Sequence, residues 1–170
     1  DQLVNGAAKW HYMFGSQNCV PITIRLIIGR GWGQGPTHSQ NLQAWFSHIP
    51  GLKVVMPTTP EDAKGMLLAS IFDPNPVIFL EHRWLHNSIG EVLDGDIRVP
   101  LGKAKIIKSG KDITLVAMSY MSIEAIHASD YLEKQGISCE VIDLRTIKPL
   151  DWETVMASVS KTGRLLALDS

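Results

Sequence analysis

An apolar run rich in β-branched residues, VPITIRLII over 20–28, passes through four glycines at alternate positions into a helical pattern over 41–49. A strand that leads through a short loop into a helix is the unit from which parallel sheets are built, and it points to an α/β fold. Gly29, Gly31, Gly33 and Gly35 allow backbone angles closed to other residues and let a ligand approach the main chain. The helix repeats Leu42, Trp45, Phe46 and Ile49 at three- and four-residue spacing. His38 stands at its predicted start, where Thr37 or Ser39 is expected to cap it and the helix dipole favours an anionic or electron-rich group. The loop is not a P-loop, since no Lys-Ser or Lys-Thr follows the glycines, and its spacing is not the dinucleotide fingerprint. On local sequence alone, a flexible surface loop with an exposed histidine fits it equally well.

The alternation continues in both directions. The first half is predicted as helix 1–16, strand 20–28, helix 39–49, strand 53–56, helix 60–72 and strand 77–80. In the third helix Thr59 is the expected cap, Pro60 fits the first position, Glu61 and Asp62 suit the positive end, and Ala63, Met66, Leu67 and Ile71 form the buried face. DPNP, 73–76, turns the chain into VIFLE. Residues 88–102 lose periodicity and read as a surface linker. Beyond them come a strand pair at 103–107 and 113–118, helix 122–135, strand 139–144, helix 151–158 and strand 165–168. The chain thus divides into domains 1–87 and 103–170, each with a mainly parallel sheet and ligands expected beyond the carboxyl ends of strands. Helical spacing begins at Leu3 with no initiating methionine before it, and the last strand lacks a covering element, so the sequence reads as an internal part of a longer chain.

Sixteen basic side chains balance seventeen acidic ones, which argues against a nucleic-acid or general polyanion binder. No apolar run is long enough for a membrane helix. Cys19 and Cys139 lie far apart in apolar surroundings without a CxxC, so burial in a reducing compartment is expected rather than metal or redox chemistry. His82 and His86 have helix-face ligand spacing, but Arg83 replaces the glutamate of HExxH and no third ligand is visible. His48 and His127 fall in helices as surface or core residues, and His11 sits between Trp10 and Tyr12. Asp143 and Arg145 end a strand and suit an ion pair, interdomain or purely structural. Glu81 ends its strand as a carboxylate with no partner in view, and Trp32, Trp45 and Trp84 are expected to pack.

GPTHSQ, AWFSHIPGLKVVMPTTPEDAKGMLLASIFDPNPVIFLE, RVPLGKAKIIKSGKDITLVAMS, CEVIDLRTIKPLD and SVSKTGRLL together closely resemble the beta subunit of the thiamine-diphosphate-dependent decarboxylase component of 2-oxo acid dehydrogenase complexes. More distantly the chain resembles transketolase. The resemblance implies a pyrimidine-binding domain over 1–87 and part of a C-terminal domain over 103–170. It implies a heterotetramer of two alpha and two beta chains, with the alpha subunit holding most of the thiamine diphosphate and magnesium site. Pyruvate, a branched-chain 2-oxo acid or acetoin is the implied substrate class, and a lipoyl-bearing acyltransferase the implied acceptor. His38 matches the family histidine that faces the thiazolium and assists decarboxylation or acyl transfer. Main-chain carbonyls of Ile22, Ser70, Asp73 and Asn75 match a structural potassium site. The family's glutamate that activates the aminopyrimidine and its ring-stacking aromatic residue belong upstream of these residues. A bacterial cytoplasm or a mitochondrial matrix is the implied location. A single-chain transketolase-type enzyme and a noncatalytic α/β interaction module are the rival readings.

Overall fold

The computed structural model describes residues 1–31 and 33–170, so Trp32 and the packing expected of it lie outside the described residues. A π-helical stretch Gln2–Ala7 runs into α1 (Ala8–Met13), and β1 (Thr23–Ile28) follows. Next come α2 (Gln43–His48), β2 (Lys53–Val55), α3 (Pro60–Ile71) and β3 (Val77–His82). The second half holds β4 (Lys105–Lys108), β5 (Ile113–Ala117), α4 (Tyr120–Glu133), β6 (Cys139–Asp143), β7 (Thr146–Lys148), α5 (Trp152–Thr162) and β8 (Leu165–Ala167).

Two four-stranded sheets form, ordered β1-β3-β2-β7 and β4-β6-β5-β8. Pairing is parallel except where β7 joins β2 and β4 joins β6. The central strand β3 is apolar on both faces because both are covered. Ile78 and Leu80 join Phe46, Ile49, Val54 and Ala8 beneath α1 and α2, whereas Val77 and Phe79 join Val55 and Met66 beneath α3. The same alternation splits the second sheet, with Leu115 and Val141 toward α4, and Val116 and Ile142 toward α5.

Three expectations need correction. The strands predicted as a pair at 103–107 and 113–118 are separated by β6, which pairs antiparallel with β4 and parallel with β5. The stretch 146–148 was not expected to be a strand. It leaves its own half and adds to β2, while the Lys148 ammonium donates to the carbonyls of Ser47 and Ile49 at 2.9 Å, satisfying the end of α2. In α3 the cap is as expected, Thr59 Oγ1 accepting the Asp62 amide at 3.1 Å, but the buried face is Asp62, Gly65, Met66 and Ser70, and Ile71 is exposed. That face is set by the segment after residue 88, which crosses the helix so closely that the Val99 amide donates to the Gly65 carbonyl at 3.1 Å.

The two halves meet along a polar seam. Thr58 Oγ1 donates to the Ser119 carbonyl at 3.3 Å and Ser119 Oγ to the Pro57 carbonyl at 3.2 Å. The Arg145 guanidinium donates to Asp62 at 3.0 Å and to the Lys103 carbonyl at 2.9 Å. Asp143 and Arg145 do not form the side-chain pair that their spacing suggests. The Asp143 carboxylate accepts the Arg145 main-chain amide at 3.2 Å, leaving the guanidinium to reach Asp62.

Candidate functional site

The glycine loop leaves the carboxyl end of β1, and its base is closed by the Gly29 amide donating to the Gln40 carbonyl at 3.2 Å. His38 lies in a 3-10 turn, Pro36–His38, and its side chain is exposed. It does not start a helix. Pro36 fixes the chain for a tight turn, the Gln40 side chain donates to the Pro36 carbonyl at 3.1 Å, and α2 begins only at Gln43 with no side-chain cap. Neither Thr37 nor Ser39 caps, and α2 has six residues, so the loop and not a helix dipole presents the imidazole. An exposed imidazole on a loop at the carboxyl end of a parallel sheet can donate to or accept from a ligand above the strands.

Beside this loop a cavity of about 450 Å³ opens at the ends of the same strands, bounded by Arg25, Thr58, Thr59, Glu81, His82 and His86. Glu81 is not partnerless: Arg25 on the neighbouring strand donates from Nε at 3.0 Å and from Nη2 at 2.9 Å to its two oxygens. His82 is buried, and burial followed by the charge of His86 pulls its pKa below the ordinary 6.5. Its Nδ1 accepts the Trp84 amide at 3.3 Å, which leaves the proton on Nε2. His82 closes a strand and His86 follows a short 3-10 turn, so they do not share the helix face that a two-histidine metal motif needs. Among the described residues no cluster of three or more metal-ligating side chains occurs, and no helix is long and apolar enough to cross a membrane.

The remaining candidates disperse. His48 and His127 are exposed, and His11 is held by its Nδ1 at 3.1 Å from the Asn18 carbonyl. Cys139 is buried as expected, but Cys19 is exposed because β1 begins only at Thr23. Trp45 and Trp84 stay half exposed while packing against a ring, Trp45 on Phe46 at 4.8 Å and Trp84 on Tyr120 at 5.6 Å. Ser70 in the last turn of α3, Asp73 and Asn75 in the turn before β3, and Ile22 just before β1 lie at the opposite end of the sheet from His38. The Ile22 carbonyl accepts the Val77 amide at 2.9 Å, the Ser70 carbonyl accepts the Asp73 amide at 3.2 Å, and Asp73 Oδ1 accepts the Asn75 amide at 2.9 Å. Arg25, Asp62 and Tyr120 escaped the sequence reading. An arginine inside an apolar strand was the available signal for the first, whereas Asp62 looked like an ordinary acid in the first turn of a helix.

Residues 2–87 match the transketolase pyrimidine binding domain, and residues 102–170 match the transketolase C-terminal domain. The chain belongs to the transketolase family. The pyrimidine-binding part of this transketolase-family chain carries β1, β2, β3 and His38, and the C-terminal part carries the second sheet with Tyr120 and Arg145. It is 47% identical over 169 residues to the acetoin:2,6-dichlorophenolindophenol oxidoreductase subunit beta of Cupriavidus necator, covering 99% of this chain and 50% of that one. It is 49% identical over 173 residues to the mitochondrial pyruvate dehydrogenase E1 component subunit beta-2 of Oryza sativa subsp. japonica, covering 99% of this chain and 46% of that one. Among solved structures, a split-gene transketolase described as an inactive beta4 tetramer superposes with a TM-score of 0.73 at 26% identity, over 96% of this chain and 54% of that one. The chain therefore spans about half the length of the curated relatives it matches.

Proposed function

We propose that this chain is part of the beta subunit of the thiamine-diphosphate-dependent component of a 2-oxo acid dehydrogenase complex. Its substrate is a small 2-oxo acid, or acetoin in the nearest chemistry, and the acyl group passes to a lipoyl group on an acyltransferase. The observation that carries this reading is identity of nearly one half along 99% of the chain to beta subunits of pyruvate and acetoin enzymes. Two alpha and two beta chains make up the assembly, with the alpha chain holding most of the diphosphate and its magnesium. The inactivity stated for the beta4 assembly of the split-gene transketolase supports the need for a second kind of chain. Bacterial and mitochondrial relatives support a bacterial cytoplasm or a mitochondrial matrix as its location.

Thiamine diphosphate supplies the electron sink for loss of carbon dioxide from a 2-oxo acid. This chain supplies His38, whose imidazole stands clear of the loop and can hold a proton against the substrate carboxylate or against negative charge as it develops. The glycines bring main chain rather than side chains beside it, which suits a bulky cofactor arriving between subunits.

Ile22, Ser70, Asp73 and Asn75 are the residues that would hold a potassium ion through main-chain carbonyls. The tight turn from Asp73 to Asn75 supports that reading, and a carbonyl that already accepts one amide keeps a second lone pair. The Asp73 carboxylate is itself taken by the Lys53 ammonium, so main-chain oxygens are what remain for an ion. These residues adjoin the first residues of β1 and β3, roughly 17 Å along six-residue strands from the glycine loop, and an ion there steadies the fold without touching substrate.

The test is His38→Ala in the complete assembly. Cofactor binding should persist while turnover of the 2-oxo acid falls by about 100-fold or more, the scale of a positioned acid or base. Unchanged turnover in steady-state kinetics removes His38 from the mechanism.

A further inference from the structure

The loop that carries His38 rests on the end of β3, and the end of β3 rests on the other domain. Register pairs Ile28 with His82, so His82 ends its strand directly beside the point where Gly29 opens the loop. The contact there is close: a Cβ on Gly29 would lie 3.3 Å from His82 Cε1 and 3.4 Å from Nε2. Farther along, Arg83 Nη1 donates to Gln34 Oε1 at 2.5 Å. The loop is thus held at its start and middle by two consecutive residues of β3 and the turn after it.

His82 in turn lies against Tyr120, the first residue of α4, with ring centroids 5.1 Å apart and planes 15° from parallel. Trp84 also meets the Tyr120 ring, at 5.6 Å and tilted by 47°. Tyr120 has little freedom to leave. Ser119 before it adopts φ of +51° and is bonded through its hydroxyl and its carbonyl to Pro57 and Thr58 of the first half. A stacked plane of this kind fixes orientation as well as distance, which a merely space-filling side chain does not.

We infer that His82 and Tyr120 are positioning residues for the glycine loop, through which the placement of the C-terminal domain sets the placement of His38. Their effect runs through Gly29 to the loop, and for catalysis it rests on the reading of His38 given above. His82 serves as a neutral ring, since its Nδ1 is occupied by the Trp84 amide and its surroundings disfavour a second proton.

The test compares Tyr120→Phe with Tyr120→Leu in the full-length protein assembled with its partner chain. Hydrogen exchange read by mass spectrometry over residues 29–40 reports the loop, and residues 60–71 of α3 serve as the internal control for folding. Tyr120→Leu should speed exchange in the loop by about 3- to 10-fold, the range an aromatic pair supplies, and leave α3 unchanged. It should also lower kcat by about 10-fold with KM for the 2-oxo acid unchanged. Tyr120→Phe, which keeps the stacked plane, should match the parent in both. If Tyr120→Leu does not assemble, His82→Leu makes the same comparison from the other side of the stack. Loop exchange at the parental rate in the leucine variant, or equal loosening in the phenylalanine variant, overturns the inference. A loosened loop in a protein whose His38→Ala variant keeps full turnover leaves the mechanical link standing and removes only the functional reading.

Discussion

Arg145 and Asp62 are 83 residues apart in sequence and 3.0 Å apart in space, and their pair joins the turn after β6 to the first turn of α3 across the seam between the two halves. Asp62 is buried and the Arg145 side chain is only 11% exposed. Arg145 also adopts φ of +57°, a left-handed conformation that costs a non-glycine residue energy, and the Asp143 carboxylate receives its amide in that conformation. One arginine is thereby used twice. Its backbone turns the chain from the second sheet toward β7 in the first, and its guanidinium closes the junction.

Removing one partner of such a pair leaves a buried charge uncompensated, which costs about 3–5 kcal/mol. Arg145→Met should therefore destabilise the full-length protein by about 3 kcal/mol, and adding Asp62→Asn to it should restore part of the loss. Urea unfolding monitored by circular dichroism reads both. A single Arg145→Met variant that unfolds at the parental midpoint would show that the pair is solvated and weak.

Asp143 sets a second, pH-dependent element at the same seam. Burial pushes its pKa up to about 6 from an ordinary 3.8, against the pull of the Thr58 and Ser122 hydroxyls and the Arg145 amide, and the Asp62 carboxylate adds to the rise. Between those two values the folded protein keeps a proton that the unfolded chain has released, so stability falls as pH rises through this window and this group adds no further slope above it. Asp143→Asn removes the slope. The variant should melt close to the parent near pH 4, gain on it up to about pH 6 and hold that gain above it. Parallel melting curves for the two proteins across that range would place the carboxylate in a more polar setting than its burial indicates.

Gly51 leaves no room for a side chain. A Cβ there would lie 1.8 Å from the Ala8 carbonyl oxygen, and φ is +92°, so the first residue of α1 is seated directly on the turn before β2. Gly15 also has positive φ, at +60°, but a Cβ would meet nothing within 4 Å. Gly15→Ala should cost about 1 kcal/mol of backbone strain, and Gly51→Ala several times as much because α1 must lift from the core. Equal midpoints for the two variants in thermal unfolding would mean that the α1 contact contributes nothing.

What the sequence by itself determined was local. The buried run Val77–Leu80 at the centre of a sheet, the Thr59 cap of α3, the alternation of strands and helices, and the glycine loop after β1 all follow from residue preferences and spacing within a few positions. Only the tertiary structure decided which strands became neighbours and which charges met. Nothing within 146–148 marks it as an edge of the first sheet, because a three-residue strand has too short a pattern to declare its partner. Nothing near Asp62 announces Arg145, and the stack of His82 on Tyr120 joins residues whose own surroundings are a strand end and a helix start. His38 shows the division most plainly. Its loop was legible, but a proline turn displaced it from the helix start, and its place relative to the second domain depends on contacts made through β3. Periodicity records which side of an element is apolar, and long-range pairing is settled by packing between elements that no local pattern encodes.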